Sequence, residues 1–250
     1  MQQYFVDELF DEYGRYTLSK DDSNHIVRIM RKKENDKVYI VFKEKIKYIC
    51  NIIDSKIDGV VVEPFERIYT SNELTVEITV AIPPLKSDKI EYLIQKLTEL
   101  GVTNIVLFNS ERNIAKIKKD KIENKIQRWE KIIKEAAEQS KRNLIPNIIY
   151  VDSLQELISY GKNMDYKVVA YEKESTNIDN INLKNLLCSD LNKKSILAVF
   201  GSEGGLSENE ISNFRNADYK TIGLGKRILR AETAPLYLVS CVSYFNEFYN

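Results

Sequence analysis

The sequence predicts an α/β protein made of a small N-terminal β-barrel and a larger C-terminal domain with a parallel sheet. Residues 1 to about 70 carry short β-branched and aromatic runs separated by charged or glycine-containing turns, with room for one helix. From about residue 73 the rhythm changes to apolar runs alternating with long helical patterns, as parallel βα units require. No internal repeat or low-complexity linker separates the halves, so two closely joined domains are expected, residues 1–70 and 71–250.

In the first half, Ser19 followed by Asp22 fits a helix N-cap, and Ile26, Ile29 and Met30 recur at helical spacing, so a helix is expected over 20–32. Strands follow at 38–42, 47–54 and 61–69. The second half opens with a buried-strand run at 73–82. Ser87 is read as the cap of a helix that ends at Leu100 before Gly101. Strands are expected at 104–109, 147–151, 166–171, 195–201 and 219–225, with helices at 119–142, 153–160, 207–217 and 231–249. Trp129 falls in the apolar stripe Ile126, Trp129, Ile133 and Ala137 and is read as core.

Composition narrows the function. With 43% hydrophobic and 30% charged residues, the 250-residue chain is neither disordered nor fibrous. Lys and Arg number 37, as do Asp and Glu, so a nucleic-acid partner has to be held by a local basic patch. Cys50, Cys188 and Cys241 sit in apolar runs typical of buried thiols, which suits a reducing cytoplasm. No signal-like start or membrane-length apolar run is present, so a soluble protein without a membrane partner is expected. The single histidine, His25, and the lack of any Cys-x-x-Cys argue against a metal site; no Gly-x-Ser-x-Gly turn accompanies His25 for a serine hydrolase.

Two glycine-ended strands carry the chemistry. In VFGSEGGLSENEI (199–211) an apolar strand runs into Gly201, Glu203, Gly204 and Gly205, then into a helix capped by Ser207 with Glu210 at its third position. The glycines fit either a plain tight turn or a loop whose backbone approaches a ligand. In IGLGKRILRAETAPL (222–236), Gly223 and Gly225 close another strand, and Arg227 and Arg230 lie three apart before a helix with Pro235 in its first turn. Two such ends side by side are what a crevice at the carboxyl edge of a sheet requires, although Arg227 also fits a solvated surface cation.

Together these stretches resemble the RsmE-type ribosomal RNA uridine-N3 methyltransferases of the SPOUT class, which use S-adenosylmethionine. HIVRIMR (25–31), KSDKIEYLIQKLTELGV (86–102) and RWEKIIKEAAEQSKRNLIP (128–146) match that family's motifs in the same order, so the resemblance runs the length of the chain. Two positions depart from it: Ser202 stands where proline is common, and Gln3 where many members carry arginine. The resemblance implies a PUA-like β-barrel that grips RNA, an α/β domain threaded as a deep trefoil knot, and a homodimer with its active sites at the interface. It places the cofactor at Tyr171-Glu172, at Phe200, Gly201, Glu203, Gly204 and Gly205, at Ile222, Gly223 and Leu224, and along a far wall that includes Leu229, Thr233 and Ala234.

Uracil N3 must lose a proton before or during methylation, and the charge spreads onto the flanking carbonyl oxygens. Arg230 is the expected stabiliser of that charge, and Glu203 or Glu232 the expected proton acceptor. Both glutamates also fit a structural role, capping a helix or pairing with Arg230. His25, Arg28 and Arg31 recur every three residues on one helix face, extended by Lys32 and Lys33, and are expected at small-subunit (16S) ribosomal RNA, although a solvated face has the same pattern. Residues 112–142 hold eleven Lys and Arg against five Asp and Glu, the densest basic footprint in the chain; Gln139 and Arg142 at its end are further expected contacts. Tyr237, Tyr244, Phe245 and Phe248 suit a dimer face or packing within one subunit. The rival readings are a non-catalytic RNA-binding or ribosome-assembly protein, and a SPOUT enzyme acting on another RNA or on ribose oxygen.

Overall fold

A computed structural model describes residues 1–113, 117, 119–176 and 182–249. The chain divides into two compact units, Met1–Glu73 with Ala137–Leu144, and Leu74–Ala136 with Ile145–Asn250.

In the first unit, β1 (Gln3–Phe5), β2 (Tyr16–Thr17), β3 (Lys37–Val41), β4 (Lys47–Lys56) and β5 (Gly59–Ile68) form one sheet in the order β1-β3-β4-β5-β2. The β1–β3 pair is parallel and the other pairs are antiparallel. The two edge strands are too short to leave a period-2 signal, and the sequence reading missed both. Pro64 stands opposite Cys50 where the β4–β5 register shifts, which explains how a strand tolerates a residue with no N–H. Tyr4, Ile26, Ile40, Cys50, Ile52 and Val62 belong to the core of this unit. Desolvation pushes the Cys50 thiol up to about 12, as expected for an inert buried cysteine. Cys188 is exposed and Cys241 only half-buried, contrary to the sequence reading; Leu186 takes the core position, and Cys188 lies beyond the end of its helix.

The helix expected over 20–32 is shorter and changes type. Ser19 caps α1 (Lys20–Asn24), with its Oγ accepting from Asp22 N, and the chain continues as a π-helical turn over His25–Ile29. Met30 N donates to His25 O at 2.9 Å, a five-residue step. The extra residue per turn breaks the phase that was read from Ile26 to Ile29. Ile26 is fully buried, but Ile29 is 66% and Met30 40% exposed, on the solvent side with Arg28 and Arg31.

The segment 137–144 is tied into the first unit by buried polar contacts. Arg142 Nη2 lies 2.5 Å from Glu73 Oε2, and Glu73 Oε1 also accepts from Asn143 N at 2.6 Å. Gln3 Nε2 donates to Arg142 O at 2.7 Å, and Lys47 Nζ to Lys141 O at 2.6 Å. Arg142, expected at the RNA, has a side chain only 2% exposed and paired to Glu73, which ties the segment 137–144 within the first unit. Gln139 is exposed.

The second unit is built on β6 (Glu77–Ile82), β7 (Asn104–Phe108), β8 (Asn147–Val151), β9 (Tyr166–Ala170), β10 (Ser195–Val199) and β11 (Lys220–Ile222). The order is β11-β9-β10-β6-β7-β8, with every pair parallel. Between strands run α2 (Ser87–Glu99), α3 (Ile122–Gln139), α4 (Leu154–Tyr160), α5 (Asn182–Leu187) and α6 (Glu208–Asn216), and α7 (Thr233–Phe248) follows the sheet. The strands read as continuous apolar runs because both faces are covered: Val80, Ile196 and Ala198 join one core cluster and Ala81, Leu197 and Val199 the other. Trp129 lies in the first of these clusters. Several boundaries differ from expectation, and at two of them the cause is visible. Thr75 N is taken by Asn246 Oδ1, so the ladder of β6 begins only at Glu77. Lys86, not Ser87, occupies the cap position of α2, and Gly101 ends that helix at φ +94. The short helix α5 carried too little periodicity to be read.

Removing the Arg142 guanidinium leaves Glu73 with an uncompensated, largely buried charge. Arg142→Ala is expected to destabilise the protein by about 3–5 kcal/mol in denaturant unfolding. A change below about 1 kcal/mol would place the pair among surface bridges.

Candidate active site

The strand order reverses between β6 and β10, and in open parallel sheets the crevice at that switch, beyond the carboxyl ends of the strands, is where ligands bind. There β10 leaves through Phe200, whose N–H donates to Ala81 O at 2.9 Å, into the glycine loop. At Gly201 a Cβ would stand 2.7 Å from the Gly205 carbonyl carbon and 2.9 Å from Leu206 N, so only glycine lets the two ends of the loop touch. Gly205 N donates to Ser202 O at 2.9 Å, and Gly205 adopts φ +69.

Ser202 supplies by hydrogen bonds what a proline would supply by ring closure. Its Oγ donates to Arg112 O at 3.1 Å and accepts from Gly204 N at 3.3 Å. The capping box after the loop is complete, with Ser207 Oγ accepting from Glu210 N and Glu210 Oε2 accepting from Ser207 N at 2.7 Å. Glu210 Oε1 accepts from Glu111 N at 2.9 Å, so one buried carboxylate joins the loop to the segment after β7. Beside the loop, Tyr171 N donates to Ile222 O, and its hydroxyl donates to Glu208 Oε1 at 2.8 Å.

These loops enclose a cavity of about 490 Å³, within the usual range for small-ligand sites. Its walls are 170–172 after β9, 200–206 after β10, Ile222 and Leu224 after β11, and the far side 227–232 with Ala234. The expected cofactor positions therefore converge, except that Gly223 and Thr233 adjoin the lining without forming it. Thr233 N and Ala234 N both donate to Arg230 O, which begins α7 directly after the far wall.

Charge in the cavity is arranged asymmetrically. Lys89, in the first turn of α2, places Nζ 3.1 Å from each carboxylate oxygen of Glu232. Burial raises the Glu232 pKa, but its own backbone N–H, Lys89 and Arg230 outweigh this and hold the carboxyl below its ordinary value. Glu232 pairs with Lys89, whereas the sequence suggested Arg230. Arg227 and Arg230 are exposed and, among the described residues, neither guanidinium has an ion-pair partner; Glu203 is likewise exposed without one.

The residues expected at RNA, His25, Arg28, Arg31, Gln139 and Arg142, all belong to the first unit. Arg28 and Arg31 are exposed, and His25 is half-buried with Nδ1 2.9 Å from the Tyr4 hydroxyl. Of the basic stretch 112–142, Lys116 and Lys118 fall outside the described residues, and Arg128 is paired with Glu91 at 2.8 Å. Sequence reasoning missed Lys89, although KSDK lay inside a matched motif. It also missed the reach of Glu210 to Glu111, for which a sequence offers no signal. Among the described residues no His, Cys, Asp and Glu cluster could hold a metal ion, and no helix is long and apolar enough to cross a membrane.

Residues 72–243 match the RNA methyltransferase domain family, and residues 18–64 match the RNA methyltransferase PUA domain. The chain is 38% identical to ribosomal RNA small subunit methyltransferase E of Bacillus subtilis, covering 99% of this chain and 98% of that one. It is 31% identical to the protein of that name from Mesomycoplasma hyopneumoniae, over 96% of this chain and 98% of that one. A crystal structure of a hypothetical protein matches with TM-score 0.91 and 36% identity over 100% of both chains. The fold also matches the Neisseria gonorrhoeae ribosomal RNA small subunit methyltransferase E bound to S-adenosyl methionine, with TM-score 0.83 at 24% identity over 98% and 97% of the two chains. The chain thus belongs to the ribosomal RNA small subunit methyltransferase E family, with an RNA methyltransferase domain preceded by a PUA domain.

Proposed function

We infer that this protein transfers the methyl group of S-adenosylmethionine to N3 of a uridine in small-subunit (16S) ribosomal RNA. The observation that carries the reading is the cavity at the switch point, whose floor includes Gly201, Gly204 and Gly205 of a loop that closes on itself only with glycine at position 201. Such a floor fits a cofactor gripped through main-chain N–H and C=O groups, and Ile222, Leu224 and Leu229 offer apolar walls for a flat base.

Bound S-adenosylmethionine supplies a methyl group on a positively charged sulfur. Reaction joins uracil N3 to that carbon while the sulfur–carbon bond breaks, its electron pair staying on sulfur and the N3 proton passing to a base. The protein's part is alignment, exclusion of water and management of the imide charge. Arg230, at the cavity and with no ion-pair partner for its guanidinium among the described residues, is assigned to the charge that develops on the carbonyl oxygens. Glu203 is assigned as the proton acceptor, because Glu232 is engaged by Lys89 and its carboxyl is held below its ordinary value, which weakens it as a base.

The remaining assignments belong to the same reading. Insertion of β10 between β6 and β9 supports a knotted path for the three cofactor loops. Exposed Tyr237, Tyr244 and Phe248 on α7 support a homodimer, and the ribosomal substrate suits the cytoplasm. His25, Arg28 and Arg31, in an N-terminal domain placed at 1–70, and Gln139, within the catalytic domain placed at 71–250, are assigned to RNA.

Gly205→Val introduces a β-branched side chain at φ +69, where a Cβ would already face Glu172 Oε2 at 3.3 Å. Calorimetric titration is expected to show no S-adenosylmethionine binding at unchanged helix content; wild-type affinity would remove the assignment. Arg28→Ala with Arg31→Ala is expected to flatten the dependence of log affinity on log salt by about 0.7–0.9 per lost phosphate contact, leaving cofactor affinity intact. An unaltered slope would mean that this face is merely solvated. Arg230→Ala is expected to lower single-turnover methylation about 10²- to 10³-fold with both ligands saturating, and the deficit is expected to shrink as pH rises toward the ionisation of free uracil. A pH-independent deficit would reduce Arg230 to substrate placement.

A further inference from the structure

We propose that Lys89 is a second cation at the uracil imide, bracketing it together with Arg230, and that Glu232 holds Lys89 in place instead of taking the N3 proton. The proposal deepens the methyltransferase reading and rests on it.

Lys89 stands where helix electrostatics opposes it. In the first turn of α2 the N-terminal end of the helix dipole disfavours a cation, and an acidic residue is the usual choice. Yet Lys89 is there, half-buried, lining the same cavity as the glycine loop. Its unfavourable position is offset by Glu232, whose two oxygens lie 3.1 Å from Nζ. An ammonium has three N–H donors, and a single carboxylate engages at most two of them. One donor therefore remains to be directed into the cavity.

Loss of the N3 proton leaves an anion whose charge is shared between O2 and O4, one on each side of N3. Two donors, one to each oxygen, stabilise it while leaving N3 open to the methyl carbon. Arg230 and Lys89 both line the cavity, Arg230 from the far wall and Lys89 from α2. Glu232, with both oxygens engaged by the Lys89 ammonium and its carboxyl held below its ordinary value, is ill placed to take the N3 proton, which argues for it as the positioning residue of Lys89. The same arrangement selects the base. Cytosine presents an amino group where uracil has O4, so a donor would face the fixed ammonium and leave both buried donors unpaired.

The test is single-turnover methylation of an RNA fragment carrying uridine, 5-fluorouridine or cytidine at the target position, with calorimetric S-adenosylmethionine affinity measured alongside. Lys89→Met is expected to slow the uridine reaction about 10²-fold with unchanged cofactor affinity. Its deficit should be several-fold smaller on 5-fluorouridine, whose ring gives up the N3 proton more readily and needs less help. Lys89→Arg should restore part of the rate, and Glu232→Gln should show the same smaller deficit on 5-fluorouridine. Wild-type protein should discriminate against cytidine more strongly than Lys89→Met does. Equal deficits on the two uracils would overturn the proposal, as would a loss confined to cofactor affinity, which would place Lys89 on the cofactor. A lowered melting temperature with normal rates would make the Lys89–Glu232 pair a structural bridge and overturn it as well. Wild-type methylation of uridine is the control: its failure would sink the functional reading, whereas its success with equal variant deficits would sink only the role of Lys89.

Discussion

At Gly201 the backbone leaving β10 passes so close to Gly205 and Leu206 that a Cβ would sit within 3 Å of three main-chain atoms. Backbone cannot retreat as the tip of a flexible side chain can, so the loop closes on itself only with glycine there. The form of the site depends on that closure. It lets Gly205 N reach Ser202 O, sets Ser202 Oγ between Arg112 O and Gly204 N, and delivers the chain to Ser207 at the angle its capping box with Glu210 needs. The outcome is a glycine-rich loop lining the cavity, tied by the hydrogen bonds of one buried carboxylate, Glu210, and one hydroxyl, that of Ser202. Fixed dipoles of this kind suit binding that has to be oriented before reaction, because little reorganisation is left for the reacting step.

A neutral protein that handles RNA has to localise its charge, and this one does so within each of its two units. In the first unit Arg28 is exposed on a π-helical turn and Arg31 is exposed just after it, while Arg142, equally basic in sequence, is buried against Glu73. In the second unit Lys89 is committed to Glu232, and Arg227 and Arg230 keep their guanidinium groups toward solvent and cavity. Counting charges along residues 112–142 could not make that distinction. Whether a cation is available depends on the carboxylate that folding brings to it, and both decisive partners, Glu73 and Glu232, are more than 60 residues away in sequence.

The parallel sheet was legible because burial on both faces leaves uninterrupted apolar runs, and the glycine loop because its residues answer a backbone requirement that side-chain chemistry cannot disguise. Ser19, Ser207 and Glu210 were legible for the same reason, since capping is a contract between neighbours in sequence. The π-helical turn was not legible: Ile26, Ile29 and Met30 have α-helical spacing, and nothing local announces the extra residue that turns Ile29 and Met30 to solvent. Strands β1 and β2 were too short to show a period, and their pairing with β3 and β5 is decided by the sheet they join. Lys89 was passed over because a lysine in a charged helix start looks like solvated surface until Glu232 is seen beside it.

The most direct measurement is mass-spectrometric identification of the nucleoside formed when purified protein, methyl-labelled S-adenosylmethionine and unmodified small-subunit particles are combined. An imide methylated between two cations, beside a cofactor held on a backbone floor, predicts labelled 3-methyluridine at one site in the RNA. Label on a ribose oxygen, on carbon 5 of the base, or on no nucleoside at all would contradict it.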